Sequence, residues 1–485
     1  MKLSEILVNC NLLEIVGEKN LDILDISFDS RKVSEGTMFF AVKGTQVDGH
    51  DYIDKAIEQG ASAIVCEKMP RKKSGQVTYV KVDNSAYVLG VAASNFFGNP
   101  SEKLRLVGVT GTNGKTTIAT LLYRLFTDAG YSCGLLSTIE NIVNREVIPS
   151  THTTPDPIEL NTLLKQMVDK GCEYAFMEVS SHSVAQDRIA GLHFAGGIFT
   201  NLTHDHLDYH KTMANYRNAK KKFFDNLPQS AFALTNLDDK NGAVMLQNTK
   251  AKKLSYALKH DANFKGIIME SHFDGMMLKV NGTEMYTQLV GEFNASNLLA
   301  IYGAALSLGF NKDELLVEIS KLHGANGRFD MVHSDKGIVG IVDYAHTPDA
   351  LENVLVTIND VRCHKETLIT VVGCGGNRDA TKRPEMAAVA VKLSDKVILT
   401  SDNPRNEDPD EIIRQMKAGI TEEDRHKVLS ITNRREAIRT AVALAKKGDI
   451  ILLAGKGHET YQEINGVKNH FDDKEVLSEA FKEAN

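Results

Sequence analysis

The 485 residues exceed what one hydrophobic core supports, so about three domains are expected. A composition of 42% hydrophobic and 25% charged residues with a formal net charge of -7 describes a globular protein and argues against broad, non-specific nucleic-acid binding. Cys10, Cys66, Cys133, Cys172, Cys363 and Cys374 stand far apart with no C-x-x-C pair, which suggests neither a zinc site nor a thioredoxin-type motif and fits a reducing compartment; no apolar run reaches the ~18 residues of a membrane span, and the acidic residues in the first apolar stretch are unlike a signal peptide, so a cytoplasmic location is expected.

From the amino terminus, residues 3–98 alternate short apolar runs at 36–42 and 63–66 with a helical stretch at 52–59, the pattern of a small mixed α/β unit. Gly98-Asn99-Pro100-Ser101 signals a turn and a hinge. A buried strand over 104–109 then leads through a glycine-rich turn into a helix over 116–129. Strands over 174–179, 197–200 and 231–235 follow, mostly separated by helical stretches, which predicts a mostly parallel sheet wound on both faces. A third unit begins near Arg328. Its strands, over 338–342, 368–372, 396–399 and 449–453, each run into a loop rich in Gly, Asp or Arg, and such loops gather at the carboxyl edge of an open α/β sheet.

The turn after strand 104–109 reads Thr110-Gly111-Thr112-Asn113-Gly114-Lys115-Thr116-Thr117, a phosphate loop. Its glycines let backbone N–H groups turn inward around phosphate oxygens, and the following helix points its positive end at the same anion. Lys115 adds a charge at the outer phosphates, and the Thr116 hydroxyl stands where it ligates Mg²⁺. Val109 occupies the place of the general pattern's first glycine. No Asn-Lys-x-Asp motif accompanies the loop (Thr235-Asn236-Leu237-Asp238-Asp239 lacks the lysine), which argues against a GTPase.

Glu178, in Met177-Glu178-Val179-Ser180-Ser181-His182, ends a strand, the usual place for a second metal ligand. After the next predicted strand, His204, Asp205, His206, Asp208 and His210 crowd seven residues. The plain alternative is a hydrated loop; the functional reading is a Mg²⁺ and phosphate site, with zinc allowed by ligand type but disfavoured beside a phosphate loop. Lys220-Lys221-Lys222 reads by default as the solvated face of a helix.

Taken together the sequence resembles the Mur ligases, the amide-forming enzymes of bacterial peptidoglycan assembly. The likeness rests on the 109–117 loop with its Val109, Glu178-Val179-Ser180-Ser181, Asn201-Leu202-Thr203-His204-Asp205-His206-Leu207-Asp208, Asn294-Ala295-Ser296-Asn297, Gly327-Arg328-Phe329, Asp343-Tyr344-Ala345-His346-Thr347-Pro348 and Gly455-Lys456-Gly457-His458-Glu459, in that order over nearly the whole chain. It is closest to the branch that adds the third residue of the stem peptide. The resemblance implies an α/β protein of three domains: a mixed α/β UDP-sugar domain (1–99), a central ATPase with a mostly parallel sheet (100–328) and a Rossmann-like amino-acid domain (329–485). It implies ATP and Mg²⁺, the substrates UDP-N-acetylmuramoyl-L-alanyl-D-glutamate and an amino acid, and a monomer without a nucleic-acid partner. Ser30 and the Thr45-Gln46-Val47 loop would hold the UDP end; Thr153, Thr154, Ser180, Gln186 and Arg188 the muramoyl-dipeptide end. Lys220 matches the family's carbamylated lysine, a metal contact alongside Glu178, His206 and Thr116, and Asn294, Arg328, Asp343 and His346 match positions around the nucleotide.

Charge argues for the amino acid. Arg378, Asp402-Asn403-Pro404-Arg405, Gly455 and Glu459 are expected along one edge. meso-2,6-Diaminopimelate carries two carboxylates and two ammonium groups. Arg405 is expected to clamp its distal carboxylate and Arg378 the other, while Asp402 and Glu459 accept from the ammonium groups. L-Lysine lacks the distal carboxylate and would leave Arg405 unpaired, a mismatch of about 1–3 kcal/mol. The alternative is that Arg405 pairs with Glu407 or Asp408 beside it. In the expected reaction Lys115, Arg328 and Mg²⁺ neutralise the γ-phosphoryl group, the D-glutamyl side-chain carboxylate attacks it, and the amine displaces phosphate from the acyl-phosphate, with His210 the candidate base. The rivals are a folylpolyglutamate synthetase-like ligase and a nucleotide-regulated binding protein without turnover.

Overall fold

The computed structural model describes residues 1–484 apart from 45, 46, 151, 363 and 364, so Thr45, Gln46 and Cys363 lie outside the described residues. Three sheets organise the chain. In the first, Leu12–Val16, Thr78–Val82, Ala63–Cys66, Thr37–Phe40 and Asp25–Ser27 lie in that order, parallel except for the first pair. Thr37–Phe40 and Ala63–Cys66 are buried on both faces, which is why they read as unbroken apolar runs. The edge strand Leu12–Val16 is largely exposed and gives no such signal.

The second sheet has eleven strands. Phe264–His272, Lys252–Ala257, Phe232–Asn236, Gly196–Phe199, Arg105–Thr110, Tyr174–Glu178 and Cys133–Leu136 form its parallel middle. Both margins are antiparallel, extended by Gly275–Val280 with Thr283–Thr287 at one end and Glu140–Val143 with Glu146–Pro149 at the other. The sequence reading missed these margins, although Asn281-Gly282, both at positive φ in the structure, is a hairpin signal. From the central strand Arg105–Thr110 the chain winds first to one side, through Cys133–Leu136 and Tyr174–Glu178, and then to the other, through Gly196–Phe199 and Phe232–Asn236. At that reversal a crevice opens beyond the carboxyl ends of the strands. Helix Lys115–Asp128 covers the sheet there, burying Ile118, Leu121, Leu122, Leu125 and Phe126 at helical spacing.

The third sheet runs Asp330–His333, Val339–Asp343, Ile450–Ala454, Leu368–Val372, Lys396–Leu399 and Val428–Ser430, parallel except for its first pair. The four loops expected at its carboxyl edge are there. No helix among the described residues is long and apolar enough to cross a membrane.

Candidate active site

Two glycines turn strand Arg105–Thr110 into helix Lys115–Asp128. Gly114 has φ +87°, and a Cβ there would stand 2.7 Å from Asn297 Oδ1; at Gly111 it would stand 1.8 Å from Thr200 Oγ1. The neighbouring loop fixes the shape: Thr200 Oγ1 donates to Asn113 O (2.6 Å) and Asn113 N donates to Asn201 Oδ1 (2.9 Å). Lys115 Nζ donates to Gly111 O (3.0 Å) and Thr112 O (2.8 Å), two neutral carbonyls of its own loop that a phosphate can replace.

Three segments meet at Thr116. Its Oγ1 donates to Glu178 Oε1 (2.9 Å) and accepts from Arg328 Nη2 (3.2 Å), while the Arg328 guanidinium lies 4.5 Å from the Tyr344 ring centre. Glu178 is buried; Oε1 also accepts from Thr138 N (2.7 Å), but among the described residues Oε2 has no hydrogen-bond partner. A buried carboxylate oxygen without a donor is costly unless a cation meets it. Among the described residues no group of three or more His, Cys, Asp or Glu is arranged to hold a metal ion.

Lys220 overturns the expectation of a solvated lysine face. It is 1% exposed, donates from Nζ to Gly111 O (2.7 Å) and lies 4.7 Å from the Tyr216 ring centre. Burial, and then the charge of Lys115, hold its ammonium well below the ordinary lysine range. Lys221 and Lys222 pair with Asp225 and Asp187, each at 2.6 Å. The signal was in the sequence: helix Met213–Asp225 buries Tyr216, Phe223 and Phe224, and Lys220 falls on that same stripe.

His206, at φ +55°, faces the cleft 3.3 Å from Asp205 Oδ2 and edge-on to His182. His210 does not. It is buried behind the wall with Nε2 at 2.9 Å from Ser181 Oγ, and burial, followed by the charges of His182 and Lys220, pushes its pKa down to about 4. The candidate base of the sequence reading thus does not line the cleft.

The muramoyl-dipeptide candidates form one network. Arg188 donates to Gln186 Oε1 (2.9 and 2.7 Å) and Thr154 O (2.9 Å); Thr154 Oγ1 donates to Glu178 O (2.9 Å) and accepts from Ser180 N (3.1 Å); Thr138 Oγ1 donates to Thr153 Oγ1 (3.0 Å). Thr154 is buried with its hydroxyl engaged, so it shapes the wall. Ser30, buried in the short turn Ser30–Lys32, and the exposed Val47 do not line the cleft, although the charges of Lys32 and His152 both act on Glu159. Asn294 is also buried off the wall, donating to Val290 O (2.9 Å); it is Asn297, one helical turn on, that reaches the cleft.

At the third sheet's edge, Arg378, Asp402, Asn403, Arg405, Gly455 and Glu459 line the cleft, and Pro404 does not. Arg405, at φ +52°, bonds neither Glu407 nor Asp408. Its Nη1 donates to Gly376 O (2.8 Å) and its Nε lies 3.6 Å from Glu463 Oε2, while Glu407 pairs with the buried Arg383. Asp343 accepts from Phe329 N (2.7 Å) and Ala345 N (2.8 Å), and burial raises its carboxyl pKa. His346 packs beside Tyr344 on the cleft wall.

One cleft of about 970 Å³ joins these groups: the phosphate loop, Glu178, His206 and Lys220, the Thr153–Arg188 network and the charged edge of the third sheet. Sequence reasoning missed Asn297, Tyr344 and Asp349. The last, on helix Pro348–Val361, accepts from Asn113 Nδ2 (2.9 Å) and so ties the third unit to the phosphate loop.

Comparison with known proteins adds the following. The Mur ligase middle domain matches residues 109–305, the Mur ligase glutamate ligase domain 327–457 and the Mur ligase family catalytic domain 22–97. The chain is 61% identical over 467 residues, 96% of each chain, to the UDP-N-acetylmuramoyl-L-alanyl-D-glutamate–2,6-diaminopimelate ligase of Parabacteroides distasonis. It is 60% identical over 481 residues, 99% of each chain, to the ligase of the same name from Phocaeicola vulgatus. A solved structure of a ligase of that name superposes with a TM-score of 0.70 at 33% identity, covering 100% of this chain and 99% of that one.

Proposed function

The chain belongs to the Mur ligase family, and from that membership we propose that it joins meso-2,6-diaminopimelate to the D-glutamyl side-chain carboxylate of UDP-N-acetylmuramoyl-L-alanyl-D-glutamate at the expense of ATP, in peptidoglycan precursor synthesis. What carries the reading is the common cleft, where a phosphate grip, a dipeptide wall and a doubly charged amino-acid edge face one another. Bringing acid, triphosphate and amine into one space removes most of the entropic barrier to their reaction.

In the first step the Lys115 ammonium moves from Gly111 O and Thr112 O to the outer phosphates, and Arg328, steadied on Tyr344, meets the charge that develops there. The glutamyl carboxylate, held near Arg188, attacks phosphorus, giving an acyl-phosphate and ADP. The neutral amine then attacks the acyl carbon and phosphate leaves. Thr116 Oγ1 and Glu178 Oε2 would hold a Mg²⁺ ion, with His206 lining the same cleft; a carbamate on Lys220, formed from its neutral amine and CO₂ with loss of a proton, would add a further oxygen donor. When bound, the ion neutralises phosphate charge. For the amino acid, Arg405 and Arg378 answer the carboxylates and Asp402 and Glu459 the ammonium groups.

Incubation with ATP, the UDP-muramoyl-dipeptide and a panel of amines, read by phosphate release, tests this. Turnover with diaminopimelate well above that with L-lysine is expected. Equal rates would sink the role of Arg405, and no amine-dependent phosphate release would sink the ligase reading.

A further inference from the structure

Lys456 belongs to the Gly455–Glu459 loop, yet it does not line the cleft. It is 0% exposed and its Nζ meets three acceptors: Tyr461 O (2.5 Å), Glu459 Oε2 (3.1 Å) and Asn403 Oδ1 (3.3 Å). Asn403 Nδ2 donates to the same Glu459 Oε2 (2.7 Å). Two donors therefore converge on one oxygen of a carboxylate whose residue lines the cleft, and among the described residues no hydrogen bond falls on the other. The hairpin Tyr461–Ile464 with Val467–His470 closes the arrangement: Gln462 Nε2 donates to Asp402 O (2.7 Å), Glu463 N to Asn403 Oδ1 (2.9 Å) and Arg405 N to Glu463 O (3.0 Å).

We infer that Lys456 is a positioning residue for the amine substrate: with Asn403 Nδ2 its buried Nζ occupies Oε2 of Glu459 and leaves Oε1 to meet a substrate ammonium group. This rests on the proposed place of the amino acid at the third sheet's edge. A cation is needed there because of what surrounds Glu459. Burial raises the Glu459 pKa, Asp402, from the loop after Lys396–Leu399, raises it further by repelling a second negative charge, and Lys456 opposes both. Tyr344 from the loop after Val339–Asp343 and Arg434 of helix Arg434–Leu444, whose guanidinium is committed to Asp473 (2.6 Å), also face Glu459, and Lys456 Nζ lies 5.6 Å from the ring centre of Tyr461 on the hairpin. A neutral Glu459 would keep its bond from Asn403 and lose its pull on an ammonium group.

The test compares wild type with Lys456→Met, Lys456→Gln and Lys456→Arg in the full chain, reading KM for diaminopimelate, ATP and the UDP-muramoyl-dipeptide from pH 6.5 to 8.5. Removing the cation is expected to raise the diaminopimelate KM about 10-fold or more at pH 7, leaving the other two within about 2-fold. Because the variant's Glu459 protonates more readily, the ratio of its KM to that of wild type should fall as pH rises. Lys456→Arg should recover much of the loss. Lys456→Gln keeps a hydrogen-bond donor without charge and carries the same pH test if the Met variant fails to fold. A pH-independent ratio, or equal losses for all three substrates, would overturn the inference. Glu459→Gln separates it from its premise: an unchanged diaminopimelate KM there would overturn the placing of the amino acid itself.

Discussion

At Lys220 a long amine side chain occupies a position its helix reserves for the core. Its Nζ bonds a carbonyl, Gly111 O, that Lys115 Nζ also reaches at 3.0 Å. Replacing it with methionine removes a buried amine whose charging burial already disfavours, at similar volume, and leaves that carbonyl satisfied, so Lys220→Met should raise the melting temperature by a few degrees or leave it unchanged. Activity should fall at least about 100-fold, because no carbamate can form on a thioether. Calorimetry and phosphate release measure the two effects, and a clear drop in melting temperature would mean that the amine's bond outweighs its burial. In Lys220→Ala, a short-chain carboxylic acid should return part of the turnover; no response over a range of acids would remove the carbamate from the mechanism.

Elements act on the site through their ends. Gly114 starts helix Lys115–Asp128 in a left-handed conformation, with Asn297 Oδ1 against the space where a Cβ would go. Gly114→Ala therefore meets both strain and a clash, and a cost of about 1–3 kcal/mol is expected, seen as a lowered melting temperature and a KM for ATP raised about 10-fold. Helix Pro157–Asp169 begins at Asp156, whose Oδ1 accepts from Ile158 N (2.9 Å) and Glu159 N (3.0 Å), immediately after Thr153 and Thr154. Asp156→Ala should cost about 1 kcal/mol of stability and raise the KM for the UDP-muramoyl-dipeptide, not that for ATP. A shift in the ATP constant alone would count against the assignment of this wall.

Across the whole molecule the cleft lies between two sheets whose carboxyl edges face each other. The contact from Asp349 to Asn113 Nδ2 crosses it directly and brings the third unit to the nucleotide grip. Asp349→Ala should raise the KM for ATP several-fold with little change in stability, whereas Asp349→Asn, which keeps an acceptor oxygen, should stay near wild type. Steady-state kinetics with ATP varied decides between them; equal loss in both variants would point to the charge rather than the bond.

The phosphate loop, the ends of the parallel strands and the three-unit order were legible in the chain, because each is written in neighbouring residues: glycines before a helix, and apolar runs before polar loops. The antiparallel margins of the second sheet and the helix Ser85–Phe96 carry the same kind of signal and went unread. Other features had no local trace. The lone oxygen of Glu178, the burial of His210 behind Ser181, the pairing of Arg405 with Glu463 rather than Glu407, and the convergence of Lys456 and Asn403 on one carboxylate oxygen all join residues far apart in sequence or depend on a side chain's surroundings. Residue types and spacing determined which chemical groups this protein possesses; packing alone decided which of them face the cleft, because burial and distance set whether a charge is available or already answered.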